Sequence, residues 1–200
     1  MLFSSPPWES AVYWSLDLET GGLDARRDAI LAVGMLPVRE GHLRLGEAYR
    51  TLVRPEQGKA VSPRSVQAHQ LVAGDTRGAP ALAEVLPELE RRLRDAVLLV
   101  HHAPIELGFL KRAFRAAGLR WPGPPVVDTV KLLLRLDARE RRRFPELPAD
   151  PPVLNLSAAR RRLGLPDYQA HDALTDAVAT AELFLVLREA LGARRLRDLT

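Results

Sequence analysis

The first quarter of the chain consists of long apolar stretches separated by short breaks. Residues 11–19, 29–38 and 42–53 are rich in apolar side chains, which is typical of strands. Gly21-Gly22 follows the first stretch and Gly41 follows the second, so the connections are short. Short turns between neighbouring strands predict an antiparallel meander of three strands.

After residue 55 the pattern changes to helices alternating with short strands. Prolines and glycines scattered over residues 55–80 predict a long irregular connection, and residues 137–152 predict a charged, proline-rich surface loop. Helical spacing of apolar residues, as at Ala81, Val85, Leu89 and Leu93, predicts helices at 81–93, 105–117, 129–136, 155–163 and 172–191, with strands at 97–100 and 126–128. This order predicts an α/β layer architecture.

Composition limits the classes of protein that fit. The chain has 200 residues, of which 46% are hydrophobic, enough for one domain with its own core. We expect a tail at 1–10, one domain at 11–192 and a short tail at 193–200. No apolar run could span a membrane, and no secretory signal opens the chain. With no cysteine, a metal would need oxygen or imidazole ligands, and a cytoplasmic location is expected.

The net charge of +4 and the isoelectric point near 9.9 favour an acidic polymer as partner. The basic residues are nearly all arginine, since lysine occurs only at positions 59, 111 and 131. Arginine suits phosphate because its guanidinium is a planar fork of donors. An arginine-biased, solvated surface explains the composition equally well.

Asp17 and Glu19 lie at the end of the first predicted strand. Residues two apart on a strand point to the same face, so the two carboxylates lie side by side and repel. A shared divalent cation would account for the pair. The alternative is a strand that simply emerges into solvent at the following turn.

Three further acids begin predicted helices. Glu106 follows the strand at 97–100, Asp128 ends the strand at 126–128, and Asp176 lies one turn into the last helix, after His171. Each could contribute to a functional site, but each could equally be an ordinary helix cap or dipole partner, because acids are common at helix N-termini. Asp128 could equally border a crevice at the sheet's carboxyl edge.

Two adjacent histidines, His101 and His102, precede Glu106. Consecutive strand residues point to opposite faces, so we do not expect them to share an ion.

The order of these signals resembles the DnaQ-like, or DEDDh, exonuclease family. Its three motifs are D-x-E-T-T-G-L-D, H-N-A-x-F-D-x-x-F-L and H-x-A-L-x-D-A, and the similar segments here are Asp17–Asp24, His101–Leu110 and His171–Ala177. Further similarities are Ser62-Pro63, His69-Gln70-Leu71, Ala79-Pro80-Ala81-Leu82 and Val127-Asp128-Thr129. The resemblance covers about residues 11–191.

The resemblance implies an RNase H-like fold, with a mixed five-stranded sheet, its first three strands antiparallel, flanked by helices. It implies two Mg²⁺ or Mn²⁺ ions held by Asp17, Glu19, Glu106 and Asp176. It assigns catalytic roles to His171, which would take a proton from the attacking water, and to Glu19. The substrate contacts it implies are Thr20, Gly22, Leu23, His102 and Asp128, with Leu23 as a wedge against the terminal base.

Four positions depart from the family pattern. Glu106 stands where aspartate is usual, His102 replaces asparagine, Ile105 replaces phenylalanine, and Gly21 replaces the second threonine of the first motif. The longer Glu106 side chain moves its carboxylate by about one carbon–carbon bond, and the missing aromatic alters the floor of the site.

The expected function is a 3′→5′ exonuclease that releases nucleoside 5′-monophosphates from the single-stranded 3′ end of DNA. Two alternatives stay open: an RNA-trimming exoribonuclease of the ribonuclease T or oligoribonuclease type, and a catalytically degenerate module that binds nucleic acid. Gly192–Thr200 is short for the tail by which epsilon-type subunits grip a polymerase, so a stand-alone or differently partnered nuclease is expected. No signal in the sequence indicates the oligomeric state.

Overall fold

The computed structural model describes residues 5–146, 150–169 and 171–200. Its strands are β1 (Tyr13–Thr20), β2 (Ile30–Arg39), β3 (His42–Leu43), β4 (Tyr49–Leu52), β5 (Val97–Val100) and β6 (Val126–Asp128). Its α-helices are α1 (Pro63–His69), α2 (Ala73–Thr76), α3 (Leu82–Leu93), α4 (Ala103–Ala116), α5 (Thr129–Arg143), α6 (Leu156–Arg162) and α7 (Ala173–Leu191). None of the helices in these ranges has both the length and the apolar character needed to cross a membrane.

The strands form one mixed sheet in the order β3-β2-β1-β5-β6, with β4 also paired to β2. β1 is antiparallel to β2 and parallel to β5, and β5 is parallel to β6. The predicted RNase H-like fold class is therefore confirmed. The carboxyl ends of β1, β5 and β6 lie at one edge of the sheet, which is where ligands bind in many α/β folds.

Helices cover both faces of the sheet. Trp14, Leu16 and Leu18 alternate along β1 and pack in one core with α3 and α4. Tyr13, on the opposite face of β1, packs in a second core with α5, α6 and α7. Ser15 lies on that second face, and its hydroxyl donates to the carbonyl of Ala177 at 2.7 Å, which holds α7 against β1.

The predicted third strand at 42–53 is interrupted. Leu43 pairs with Val38, and Tyr49 pairs with Met35, so the five residues 44–48 lie opposite only two residues of β2, 36 and 37. The three extra residues form a 3₁₀ turn at Leu45–Glu47. The sheet therefore has six strand segments instead of the expected five.

Two other boundaries were wrong. The connection at 55–80 contains α1 and α2, and Ser62 caps α1 by accepting from Ser65 N–H at 3.1 Å. The helix predicted at 129–136 continues to Arg143, through half of the segment predicted to be a loop. Residues 138–143 are strong helix formers, and Asp137 forms an ion pair with Arg141 at 2.6 Å. The segment lacks the apolar face on which the prediction relied. Positions 147–149 of that predicted loop lie outside the described residues.

The described part of the expected N-terminal tail is packed against the body of the molecule. Trp8 is only 5% exposed, and its N–H donates to the carbonyl of Arg194 at 3.1 Å. The C-terminal segment is also engaged, because Leu199 is buried in the same core. Residues 5–10 and 193–200 are thus held together by an apolar core contact that no local sequence pattern shows.

Candidate active site

Asp17 and Glu19 lie at the carboxyl end of β1, on the face opposite Leu16 and Leu18. This alternation places both acids toward α7 while the leucines fill the core beneath α3 and α4. A β-bulge between Glu19 and Thr20 ends the regular pairing with β2. The predicted side-by-side arrangement of the two acids is present in the structure.

Asp176 reaches these acids because α7 begins directly over the sheet. Gly34 on β2 lies opposite Asp17 in the strand register. A Cβ at Gly34 would lie 2.2 Å from the carbonyl carbon of Ala173, so only glycine permits this approach. As a result, Asp17, Glu19 and Asp176 each offer a carboxylate oxygen within 4.8 Å of the other two.

Glu106 enters from the other side, in the first turn of α4. Its side chain is 5% exposed, and its Oε2 has no hydrogen-bond partner among the described residues. It does not belong to the close group of three, but in addition to the effect of burial its charge raises the pKa of Asp17, and the charge of Glu19 raises its own pKa. The longer glutamate therefore still brings a carboxylate to the cluster.

Crowding and burial disturb the protonation of all four acids. Burial, followed by the charge of Glu106 and then of the other acids, raises the pKa of Asp17 well above its usual value. Burial and the charge of Asp176 raise the pKa of Glu19 to about 7, and burial with the charge of Glu19 raises that of Glu106 to about 8. The pKa of Asp176 is also raised, mainly by burial.

These acids fit divalent cations. Glu19 Oε1 and Glu106 Oε2 are buried without a hydrogen-bond partner in the described chain, which is costly for an ionised carboxylate. Several hard oxygen donors converging on one point suit Mg²⁺ or Mn²⁺. Bound cations would lower the pKa of each acid and supply the missing partners.

His171 lies just before the N-terminus of α7, at the rim of the cluster. Its backbone adopts a left-handed conformation with a φ of 69°, and its N–H donates to Asp176 Oδ2 at 2.8 Å. Asp172 caps the helix by accepting from Thr175 N–H at 3.0 Å. The imidazole is exposed and lines a cavity together with Glu19.

This cavity has a volume of about 450 Å³ and opens beside the acids. Its lining residues are Glu19, Ala32, Arg50, Leu52, Ala68, His69, Gln70, Leu71, Gln169, His171, Asp172, Ala173 and Thr175. Polar side chains with several donors and acceptors make up much of this wall, so it suits a polar ligand of nucleotide size.

His69 is a candidate functional residue that the sequence did not reveal. It is 6% exposed, its Nδ1 accepts from Leu71 N–H at 3.0 Å, and its Nε2 has no partner among the described residues. Burial, and then the neighbouring charge of His171, lower the pKa of His69, which favours the neutral ring. The segment around His69 resembled the family, but that resemblance gave it no role.

Arg50 is a second residue missed from the sequence. It lies on β4 and forms an ion pair of 2.5 Å with Asp172, the cap of α7. The two residues are far apart along the chain, and they meet because both β4 and α7 contact β2.

The turn after β1 contains the predicted substrate contacts Thr20, Gly22 and Leu23. Thr20 Oγ1 donates to the carbonyl of Gly22 at 2.7 Å. A Cβ at Gly21 would lie 2.1 Å from the carbonyl oxygen of Ala60, so this turn packs tightly on the following segment. Leu23, three residues beyond the end of β1, is 78% exposed.

Asp128 is buried, and both of its oxygens are engaged. It accepts from the N–H groups of His102, Ala103 and Val130, each at 3.0 Å, so it caps α5 and holds the turn before α4. These contacts favour the capping interpretation of the two that the sequence left open. His102, in a left-handed conformation with a φ of 78°, is exposed at that turn.

His101 does not face the acids as a free ligand. Its Nε2 contacts the carbonyl of Leu154 at 2.8 Å, and its Nδ1 contacts Thr129 Oγ1 at 2.7 Å. Because a carbonyl only accepts, Nε2 donates and Nδ1 accepts in the neutral ring. Both nitrogens are used to hold neighbouring elements, in line with the expectation that the two histidines do not share an ion.

A mixed sheet with four acids converging at its carboxyl edge, beside a histidine, defines an RNase H-like nuclease class. The sequence model of the family described as Exonuclease (RNase_T) matches residues 15–184. The chain belongs to this exonuclease family, as its DnaQ-like motifs implied.

Known relatives and structures agree with this assignment. The chain is 34% identical over 194 residues to a DNA polymerase III subunit epsilon-like protein of Rhodobacter capsulatus, covering 95% of this chain and 25% of that protein. It is 29% identical over 179 residues to the PolC-type DNA polymerase III of Thermotoga petrophila, covering 89% of this chain and 12% of that protein. E. coli exonuclease I in complex with a dT13 oligonucleotide has a similar fold, with a TM-score of 0.76 at 15% identity, over 91% of this chain and 42% of that one. This chain thus spans a quarter or less of the two polymerase-related proteins.

Proposed function

We propose that this chain is a 3′→5′ exonuclease that releases nucleoside 5′-monophosphates from the end of a DNA strand. The observation that carries the proposal is the convergence of Asp17, Glu19, Glu106 and Asp176, with partnerless buried oxygens, beside His171. Family membership supports hydrolysis of nucleic acid. The polymerase-related names of the relatives, and the DNA bound to exonuclease I, favour DNA over RNA.

The four acids would hold two Mg²⁺ or Mn²⁺ ions. When bound, such ions activate water and stabilise negative charge on the leaving 3′ oxygen. The carboxylates of Asp17, Glu19 and Asp176 lie close enough for one ion to be shared among them. Glu106 would complete the second position from the opposite side of the cleft.

His171 would accept the proton of the attacking water at an imidazole nitrogen. Imidazole is the side chain that most often serves as a general base near neutral pH. Its position is fixed through the backbone, because its N–H donates to Asp176 Oδ2 and the following Asp172 is held by Arg50. A base tied to a metal-binding acid in this way stays near the reacting phosphate.

The terminal nucleotide would occupy the cavity between Glu19 and His171. The backbone of the turn from Thr20 to Leu23, which directly follows Glu19, would contact it, and the exposed Leu23 side chain would pack against its base. The Nε2–H of His69, which lies near the backbone of Thr20, would donate to the nucleotide. A direct contact of His102 with the substrate stays a prediction, and so does a cytoplasmic location. Asp128 is proposed to act only by holding the turn at His102.

Product analysis tests the proposal. The chain, with Mg²⁺ or Mn²⁺, is given matched DNA and RNA strands labelled at either end. The 3′-labelled DNA should release labelled mononucleotide at once, while the 5′-labelled DNA should shorten stepwise. Internal cleavage, or no cleavage with either ion, would refute the proposed function, and faster cutting of RNA would establish the exoribonuclease alternative.

A variant pair links the activity to the site. Asp17→Asn should abolish metal-dependent release, because it weakens the ligand shared by the whole cluster. Asp95→Asn is the matched control, since Asp95 is exposed and precedes β5, at the opposite end of that strand from the site. Equal activity in the two variants would contradict the assignment of Asp17. Isothermal titration with Mn²⁺ would separate an enzyme from a degenerate binding module, which should take up little metal.

A further inference from the structure

The cations of this chain divide into paired and free groups. At the C-terminal end of α3, Arg91 and the following Arg94 form ion pairs with Glu88 and Glu90 at 2.7 and 2.8 Å. By contrast, four cations in or near the turn after β1, residues 21–28, have no ion pair with any acid in the described part of the chain: Arg26, Arg27, Lys59 and Arg112. These four are called the basic rim below.

The basic rim lies beside the cleft. Lys59 Nζ donates to the carbonyls of Ala25 and Arg26, each at 3.1 Å, which ties the turn carrying Leu23 to the segment after β4. Ala25 in turn packs against α4, since a Cβ at Gly108 would lie 3.8 Å from its Cβ. Arg26 and Arg27 lie in the turn that follows β1, closed by the Gly21 N–H donating to the carbonyl of Ala29 at 2.8 Å, so the rim begins at the strand end that carries Asp17 and Glu19.

A shallow pocket of about 80 Å³ joins Lys59 to Arg112 across this contact. Asp28 and Glu56 also line it, so the rim is not purely cationic. The carboxylate of Asp28 is directed back into the turn, where its Oδ2 accepts from Asp24 N–H at 2.8 Å. Arg26, Arg27 and Arg112 are exposed and can reach an external partner.

The chemistry of the cleft requires such a rim. Four acids, with Asp172 nearby, give the site a negative charge that two divalent ions would only roughly neutralise. A polyanionic strand is therefore not attracted by the site alone. Cations placed just outside the cleft offset this repulsion, and guanidinium groups bind phosphate through paired donors.

We propose that the basic rim binds the phosphodiester backbone of the strand upstream of its 3′-terminal nucleotide. The inference rests on the proposed exonuclease function, because that function places the strand end in the cleft. It predicts that the rim contributes to binding of a strand and not to binding of the terminal nucleotide. It also predicts binding that depends on salt, since each neutralised phosphate releases counterions.

The test compares two double variants with the same change of charge. Arg26→Gln with Arg112→Gln removes two rim cations, and Arg91→Gln with Arg94→Gln removes two paired cations at the end of α3 remote from the cleft. The substrates are a single-stranded dT12 and the p-nitrophenyl ester of thymidine 5′-monophosphate, which has no upstream phosphate. Binding of fluorescent dT12 is measured by anisotropy in Ca²⁺ over a range of salt concentrations.

In the rim variant, the ratio of kcat/KM on dT12 to kcat/KM on the ester should fall about tenfold at low salt, mainly through KM. The slope of log Kd against log salt should decrease by about 1.4, or about 0.7 for each lost phosphate contact on a single strand. The control variant should keep both the ratio and the slope of the unmodified chain.

The possible results separate the two proposals. If the chain cuts both substrates and the rim variant keeps the control's ratio and slope, the basic rim is overturned and the exonuclease function stands. If the chain cuts neither substrate but binds dT12, and the rim variant binds it more weakly than the control does, the proposed function fails and the rim stands.

Discussion

The replacement Glu106→Gln tests whether ionisation of this buried carboxyl group destabilises the folded protein when no metal is bound. Glutamine has nearly the same shape, and no hydrogen bond from the described chain is lost at Oε2. Its amide can donate to the neighbouring carboxylates. In metal-free protein the variant therefore removes a charge and leaves the packing in place.

The magnitude follows from the pKa of Glu106, which burial and the charge of Glu19 raise from 4.5 to about 8. A folded-state pKa above the unfolded value means that the folded chain binds the proton more tightly. The stabilisation is fully present below pH 4.5 and is lost as the pH rises through about 8. At about 1.4 kcal/mol for each tenfold change in proton affinity, the loss is at most about 5 kcal/mol. Glu106 shares its titration with Asp17 and Glu19, so a proton lost from one acid can be bound by another. The expected loss of folding free energy due to Glu106 is therefore about 2 to 5 kcal/mol.

Thermal unfolding in EDTA measures this effect. Between pH 5 and pH 8 the Tm of the unmodified chain should fall about 5 to 15 °C more than that of Glu106→Gln. Added Mn²⁺ should restore the unmodified chain at pH 8 and should raise the Tm of the variant less, because ligand binding stabilises the folded state in proportion to affinity. Glu106→Asp, which keeps the charge, is the matched control and should retain the Mn²⁺ response. If the Tm of the unmodified chain and that of Glu106→Gln fall equally between pH 5 and pH 8, Glu106 is not the source of the pH dependence.

The other predictions concern the base, the helix approach and the cap. His171→Ala should lower kcat by about 10²- to 10⁴-fold with an unchanged Tm, and an unchanged kcat would remove it from the mechanism. Gly34→Ala should cost about 3 kcal/mol and lower kcat at least tenfold, because the new Cβ meets the backbone of Ala173 at 2.2 Å, whereas Gly46→Ala, with open space around it, should alter neither quantity. Asp128→Ala should cost about 3 kcal/mol in urea unfolding, since it leaves three backbone N–H groups without their acceptor. A loss under 1 kcal/mol would mean that water replaces the carboxylate.

The sequence by itself determined the fold class and the local placement of most site residues. Alternation along β1 places Asp17 and Glu19 on one face, and helical spacing places Asp176 one turn after the cap at Asp172. These are short-range consequences of strand and helix geometry, so the printed sequence carries them. The order of the three motifs then indicated which local features belong to one site.

Only the tertiary structure decided how these features meet. Asp176 reaches Asp17 because Gly34, on a different strand, has no side chain to keep α7 away from the sheet. His69 and Arg50 join the site through contacts between distant segments, and Trp8 packs where a tail was expected. The raised pKa values also depend on burial and on charges brought together by folding. Spacing along the chain cannot encode such contacts, because they depend on how the sheet and helices pack in three dimensions.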